Sequence, residues 1–255
     1  MGFRLDVVIP SFKDPRILET ISSINGQEFD RSRIKISVID GGSGADFCES
    51  VSAKLASHDT LVSEPDDGIF DAINKGIRQA SGDIICVLGS DDRFETVSAA
   101  EILDQAFVPG VDYCVSDMIY SSQDWTPRRI WPATMPTPFN LLVGRQVGHF
   151  AFYARKTVYD AVGYFDQTYR TAADYDFFWR LAKTPQLQGV KRNDRLVSMR
   201  LGGNSSQNLS ALIAGNKDIA HALRKHCPIR ELPLLAKPLW KSMEIARVVK
   251  HSFFS

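Results

Sequence analysis

The sequence predicts an α/β fold in which a mostly parallel central sheet is covered by helices on both faces. Three observations carry this. Across residues 5 to 88, short apolar runs of strand length alternate with stretches of helical periodicity. Strands that alternate with helices of about ten to fifteen residues are the signature of βαβ units. The runs end in polar residues, namely Ser11, Asp40, Glu64 and the pair Asp91 and Asp92, and parallel sheets bind ligands beyond the carboxyl ends of their strands.

Taken in order, Leu5 to Ile9 is an apolar strand ended by Pro10, and Ile17, Leu18, Ile21 and Ile24 follow at helical spacing. Ile34 to Ile39 is a second buried strand closed by Asp40-Gly41-Gly42-Ser43, with a helix marked by Phe47, Val51 and Leu55 behind it. Thr60 to Val62 is a third, short strand. Ile69, Phe70, Ile73 and Ile77 form a third helix, stopped by Ser81-Gly82 before the strand Ile84 to Leu88. From Asp112 the pattern loosens. Tyr113 to Tyr120 makes one or two strands, and Trp125 to Pro138, with its four prolines, reads as an irregular connection. Val147 to Tyr153 is expected as a strand containing His149, and Arg155 to Val162 as a short helix stopped by Gly163. Asp174 to Lys183 is expected as a helix with Asp174 at its N-cap, and Val190 to Leu201 as an extended stretch ahead of the loop Gly202 to Ser206. The rest reads as two helical segments separated near Pro228 to Pro233.

Composition removes several classes. The chain has 255 residues with 30 Lys plus Arg against 30 Asp plus Glu, whereas binding to nucleic-acid phosphates calls for a basic excess. The length lies between one and two domains at roughly 150 residues each. The opening Met1 to Asp6 places an acid within any signal-peptide core, and no window reaches the roughly 18 apolar residues of a membrane span. A cytoplasmic setting is expected. Cys48, Cys86, Cys114 and Cys227 are widely spaced and show no metal or disulfide pattern.

Among motifs that suit such a sheet, there is no GxGxxG after the first strand, no GxxxxGK[ST] and no GxSxG. What remains is acidic: Asp40, Glu64, Asp66, Asp67, Asp71, Asp91 and Asp92. Like charges around a cleft cost Coulomb energy unless a cation sits among them. Magnesium or manganese, held by one or two carboxylates and by substrate phosphates, suits this set.

Several segments together resemble the inverting glycosyltransferases of family 2, which have the GT-A fold. They are Val8-Ile9-Pro10-Ser11-Phe12, Val38 to Ser43, Ser63 to Ile77, Ser90-Asp91-Asp92, and Ala173-Asp174-Tyr175-Asp176 with Phe177 to Leu181, spread over residues 5 to 182. The resemblance implies a catalytic unit over 1–205, with a nucleotide-sugar half (1–117), an acceptor half (118–205) and a helical extension over 206–255. It implies that Pro10, Ser11, Phe12 and Asp40 hold the nucleotide base and that Glu64, Asp67 and Asn74 border the donor pocket. Asp91 would approach the ribose and metal, Asp92 would ligate Mn2+ or Mg2+, and Asp174 would be the general base. Three positions depart from the pattern: Ile73 replaces an Arg, Gly89 an acid or Asn, and Ala173 an acid. Lys75 is the candidate substitute for the missing phosphate contact. His149 is a candidate acceptor or metal contact, and Asp176, four residues before Arg180, suits an exposed helical ion pair.

The expectation is an inverting, metal-dependent transferase that moves a sugar from a UDP- or GDP-sugar to a hydroxyl of a glycan or lipid-linked acceptor, in bacterial surface-polysaccharide assembly. A sugar nucleotidyltransferase and a non-catalytic nucleotide-sugar-binding subunit are the alternatives. The neutral total conceals a split: residues 201–255 carry 8 basic against 3 acidic side chains. Leu232 to Phe254 mixes apolar and basic residues, which suits an anionic membrane surface, the core or a second subunit.

Overall fold

The computed structural model of the chain describes residues 3–201 and the helix 209–226. The strands and helices run β1 (Leu5–Ser11), α1 (Ile17–Asn25), β2 (Ile34–Asp40), α2 (Ala45–Ser52), β3 (Thr60–Ser63), α3 (Ile69–Gln79), β4 (Ile84–Val87), β5 (Arg93–Phe94) and α4 (Ala99–Ala106). There follow β6 (Tyr113–Ser121), β7 (Pro127–Trp131), α5 (Pro138–Leu142), a 3-10 turn (His149–Ala151), β8 (Phe152–Ala154), α6 (Lys156–Val162), α7 (Ala173–Ala182), β9 (Gly189–Arg200) and α8 (Leu209–His226). The loop Gly202 to Ser206, Cys227 and the basic segment Leu232 to Phe254 lie outside the described residues.

One sheet runs in the order β3-β2-β1-β4-β8-β6-β9-β5, and β7 pairs with the far end of β6. The first four strands are parallel, β8 enters antiparallel to both β4 and β6, and β9 is parallel to β6. The chain reverses its direction across the sheet between β1 and β4. Right-handed connections therefore put α1 and α2 on one face and α3 on the other, and open a crevice at that switch point. The boundary expected at residue 117 falls inside β6. Both halves consequently share one sheet.

β1 continues through Pro10 to Ser11 rather than stopping before the proline. Pairing with β4 ends at Val8, while Ser11 O accepts from Gly41 N on the β2 side. Residues alternate sides along a strand, so the missing N–H of Pro10 faces the side where the ladder has already ended. Other departures lie in the second half. The Trp125–Pro138 stretch contains β7 and leads into α5, and the expected strand around His149 is a 3-10 turn followed by the three-residue β8. β5 and α4, between Asp92 and Asp112, had no counterpart in the sequence pattern.

α3 packs closely on β1. Ile73 and Ile77 are fully buried on it, each worth about 1.5–3 kcal/mol. Gly76 lets the helix backbone approach β1, because a Cβ there would lie 2.2 Å from Cγ1 of the fully buried Val8. Gly76→Ala should gain at most about 1 kcal/mol of helix propensity and lose about 1–3 kcal/mol to overpacking. A net fall in stability is expected in urea unfolding, and a more stable variant would contradict this packing.

Candidate active site

The carboxyl ends of β1, β2 and β3 align, with Ser11 opposite Asp40 and Asp40 opposite Ser63. Asp40 is fully buried and accepts from Gly42 N (3.2 Å), Ser43 N (2.8 Å), Ser63 Oγ (2.6 Å) and Ser43 Oγ. Burial alone would raise its pKa, but the Ser43 and Ser63 bonds hold it below the ordinary carboxylate range. Ser43 Oγ also accepts from Lys13 N at 2.7 Å, which ties the loop after β1 to the turn after β2. Phe12 projects from that loop, 58% exposed. A Cβ on Gly41 would sit 3.2 Å from Phe12 Cδ2 and 2.8 Å from Asp66 Oδ2. Phe12 and Asp66 therefore pack against Gly41 at the ends of β1 and β2, and Ser11 Oγ at the end of β1 is buried without a hydrogen-bond partner.

Across the switch point, the turn after β4 is held by Thr20 of α1. Its Oγ1 donates to the region of Ser90 O (2.9 Å) and Asp92 O (2.6 Å). Asp91 and Asp92 then part. The Asp91 side chain is 20% exposed and lies 3.1 Å from Arg16. Asp92 is buried: Oδ1 accepts from Arg200 N at 3.2 Å, and Oδ2 is packed toward Gly89 without a partner. A Cβ on Gly89 would stand 2.5 Å from that oxygen, which gives a steric reason for glycine where an acid or Asn was expected. Asp92, expected as a metal ligand, thus faces the interior, and Asp91 faces the cleft.

The same point on Gly89 lies 3.4 Å from Phe150 Cζ, so the turn carrying His149 abuts the Asp91–Asp92 turn. His149 Nδ1 is in turn 3.8 Å from Asp174 Oδ2. Asp174 is the second residue of α7, whose N-cap is Ala172, so it does not cap the helix as expected. Its side chain is 28% exposed at the cleft.

Anchors hold α7 from behind. Asn74, expected at the donor pocket, is instead buried in α3, where its amide makes reciprocal bonds with Phe165 N (3.0 Å) and O (2.8 Å) in the segment before α7. Asp218 of α8 accepts from Arg170 N, Thr171 N and Thr171 Oγ1 at 2.9–3.0 Å. Asp176 does pair with Arg180 (2.8 Å), but it is fully buried rather than exposed, and it also meets Lys225 (3.1 Å) and His226 (2.7 Å) of α8. Lys75 is engaged by Glu64 (2.9 Å) and Asp71 (3.1 Å), so those carboxylates occupy the cation expected to replace a phosphate contact. Ile73, where an Arg was expected, is buried in the core. Asp67 is exposed at the turn before α3, with its N–H directed to Asp71.

Residues 6–159 match the family described as glycosyl transferase family 2. The chain belongs to that family. It is 32% identical over 194 residues to an uncharacterized glycosyltransferase of Mycobacterium tuberculosis, covering 70% of this chain and 68% of that one. Among solved structures it resembles a mannosyltransferase of Pyrobaculum calidifontis in complex with GDP-Man and Mn2+ (TM-score 0.64, 16% identity, all of this chain and 76% of that chain). It also resembles residues 1–349 of S. aureus TarS in complex with UDP-GlcNAc (TM-score 0.63, 15% identity, 92% and 70%). Of a longer TarS chain it spans 44%. The fold of this family 2 member is GT-A.

The divalent cation that the family resemblance implies has a fitting donor in Asp91. Burial, reinforced by Asp14, raises the Asp91 pKa despite Arg16, and added positive charge would relieve that. No group of three or more acidic, histidine or cysteine side chains suited to a metal occurs among the described residues; a single carboxylate such as Asp91 suits a cation that substrate phosphates also hold. Three residues at this site escape a sequence reading: Arg16, Arg200 and Trp125. The Trp125 ring is within cation–π reach of the guanidinium groups of Arg93 (4.3 Å) and Arg200 (4.0 Å), and its Nε1 donates to Glu19 at 2.9 Å. The only local signal is Asp14-Pro15-Arg16 ahead of a helix.

Burial lowers the His149 pKa from 6.5 to about 4. The imidazole stays neutral in the folded chain while an unfolded one protonates, so stability falls as pH drops from 6.5 toward 4, by at most on the order of 3 kcal/mol. His149→Gln should flatten that loss in urea unfolding at pH 7.5 and 4.5. Equal losses in both proteins would contradict it.

Proposed function

We propose that this family 2 member transfers a sugar from a nucleoside diphosphate-sugar to an acceptor hydroxyl in one inverting displacement. The observation that carries the reading is the contact of the Phe150 turn with Gly89, which joins the donor-side turn of Asp91 to the His149–Asp174 pair at one crevice. The fold neighbours crystallised with GDP-Man and UDP-GlcNAc support the donor class.

In this reading the group of Ser11, Phe12, Gly41 and Asp66 takes the nucleotide base. The exposed Phe12 ring supplies a stacking face, and Asp40 shapes the turn beneath it. Asp174 Oδ2 accepts the proton of the acceptor hydroxyl as that oxygen attacks the anomeric carbon. His149, neutral at physiological pH, lies 3.8 Å from that carboxylate. Asp91 would hold Mn2+ or Mg2+, which when bound supplies positive charge against the leaving diphosphate. Asp92 fixes the turn through the backbone of Arg200. A glycan or lipid-linked acceptor in surface-polysaccharide assembly, met at the cytoplasmic face of a membrane, is the setting proposed. The basic, apolar composition of 232–254 supports it.

A thermal-shift screen of UDP-, GDP- and other nucleotide-sugars with Mn2+ should give one class that raises the melting temperature. With that donor and a hydroxyl acceptor, Asp174→Asn should lower kcat about a hundredfold to ten-thousandfold and leave the donor-induced shift intact. Near-normal transfer by a folded Asp174→Asn would sink the assignment of the base.

A further inference from the structure

Arg16 immediately precedes α1 and reaches the turn after β4. Its Nε and Nη2 grip both oxygens of Asp14, at 2.8 and 2.7 Å, while Nη1 alone reaches Asp91, at 3.1 Å. Ser90 Oγ closes the group by donating to Asp14 at 3.2 Å. The two carboxylate side chains are 16% and 20% exposed and the Arg16 side chain 35% exposed, so the cluster is reached by solvent. The hold is unequal. The bidentate bond to Asp14 anchors the guanidinium, and the single ion-pair contact with Asp91 can be given up without losing that anchor.

We propose that Arg16 is the resident counter-cation of Asp91 and that it excludes a divalent cation from that carboxylate until a diphosphate draws its free edge away. Two cations at one carboxylate repel each other, so Arg16 at Asp91 weakens ion binding in the donor-free chain. A diphosphate offers the planar guanidinium a better acceptor than a carboxylate it touches through one nitrogen. Moving together with Asp14, Arg16 would carry Nη1 from Asp91 to a phosphate oxygen and leave Asp91 to the ion. Donor and ion then bind with positive coupling, and each raises the affinity of the other by the same factor. The proposal rests on the donor reading above for the coupling, but its first half concerns the ion and Arg16 alone.

The test is a titration of the full chain with Mn2+, with free Mn2+ counted by electron paramagnetic resonance. Without nucleotide, Arg16→Gln should bind Mn2+ about tenfold or more tightly than wild type, and Arg16→Lys, which keeps the charge, should stay near wild type. Arg16→Met replaces the Gln variant if the latter does not fold. Adding UDP or GDP should tighten Mn2+ binding by wild type much more than by Arg16→Gln. Asp91→Asn combined with Arg16→Gln should abolish the gain. The proposal is overturned if neutral variants at position 16 bind Mn2+ no better than wild type, or if the gain survives loss of Asp91. A gain that appears while no nucleotide binds would keep Arg16 as the counter-cation and defeat the donor reading instead.

Discussion

The turn after β4 is the joint on which the rest of the molecule depends. Its backbone is hung on Thr20 of α1, and the buried Asp92 beneath it accepts from the backbone of Arg200 at the end of β9. Helix α1 belongs to the parallel half and β9 to the half built around β6, so these bonds fasten the two parts of the sheet at the crevice between β1 and β4. Asp92 has an oxygen without a partner, and burial together with Asp91 raises its pKa well above the ordinary carboxylate range. A buried polar group with an unmet partner is tolerated where its other bonds hold an exposed neighbour in place. Here that neighbour is Asp91.

The opposite wall of the crevice is positioned by a different set of bonds. Helix α7 carries Asp174 on its first turn, and the segment leading into it is fixed to α3 through Asn74 and to α8 through Asp218. Asp176 lies two residues beyond Asp174 and is saturated by Arg180, Lys225 and His226. Because two of these partners are on α8, the helix that follows the sheet in sequence belongs to the support of the proposed base. One carboxylate on α7 is left at the cleft while the other is locked behind it.

Local pattern made much of this legible. β1 to β4 and the three helices between them lie close to where apolar periodicity puts them, because each alternation is set by residues a few positions apart. Ser11 and Asp40 close β1 and β2, and Asp91 follows β4, for the same reason. Legibility failed where burial decided a residue's role. Asn74 reads as a pocket residue yet bonds a loop 91 residues away, and Asp176 reads as a surface ion pair yet is fully buried. The short segments β5, β7 and β8 carry too few residues for a period to be seen, and they form because a neighbouring strand offers them a partner.

The sequence by itself determined the α/β class, the succession of the parallel strands and which polar residues fall at their carboxyl ends, since these follow from side-chain spacing along the chain. It also marked Asp174 and His149 as separate candidates. Only the tertiary structure decided that those two meet, that Asp91 and not Asp92 faces the cleft, and that Arg16 stands between Asp14 and Asp91. Adjacent residues at a strand end point in different directions according to what packs against each. For Asp91 and Asp92, α1 and β9 make that choice, and both lie far away in the chain.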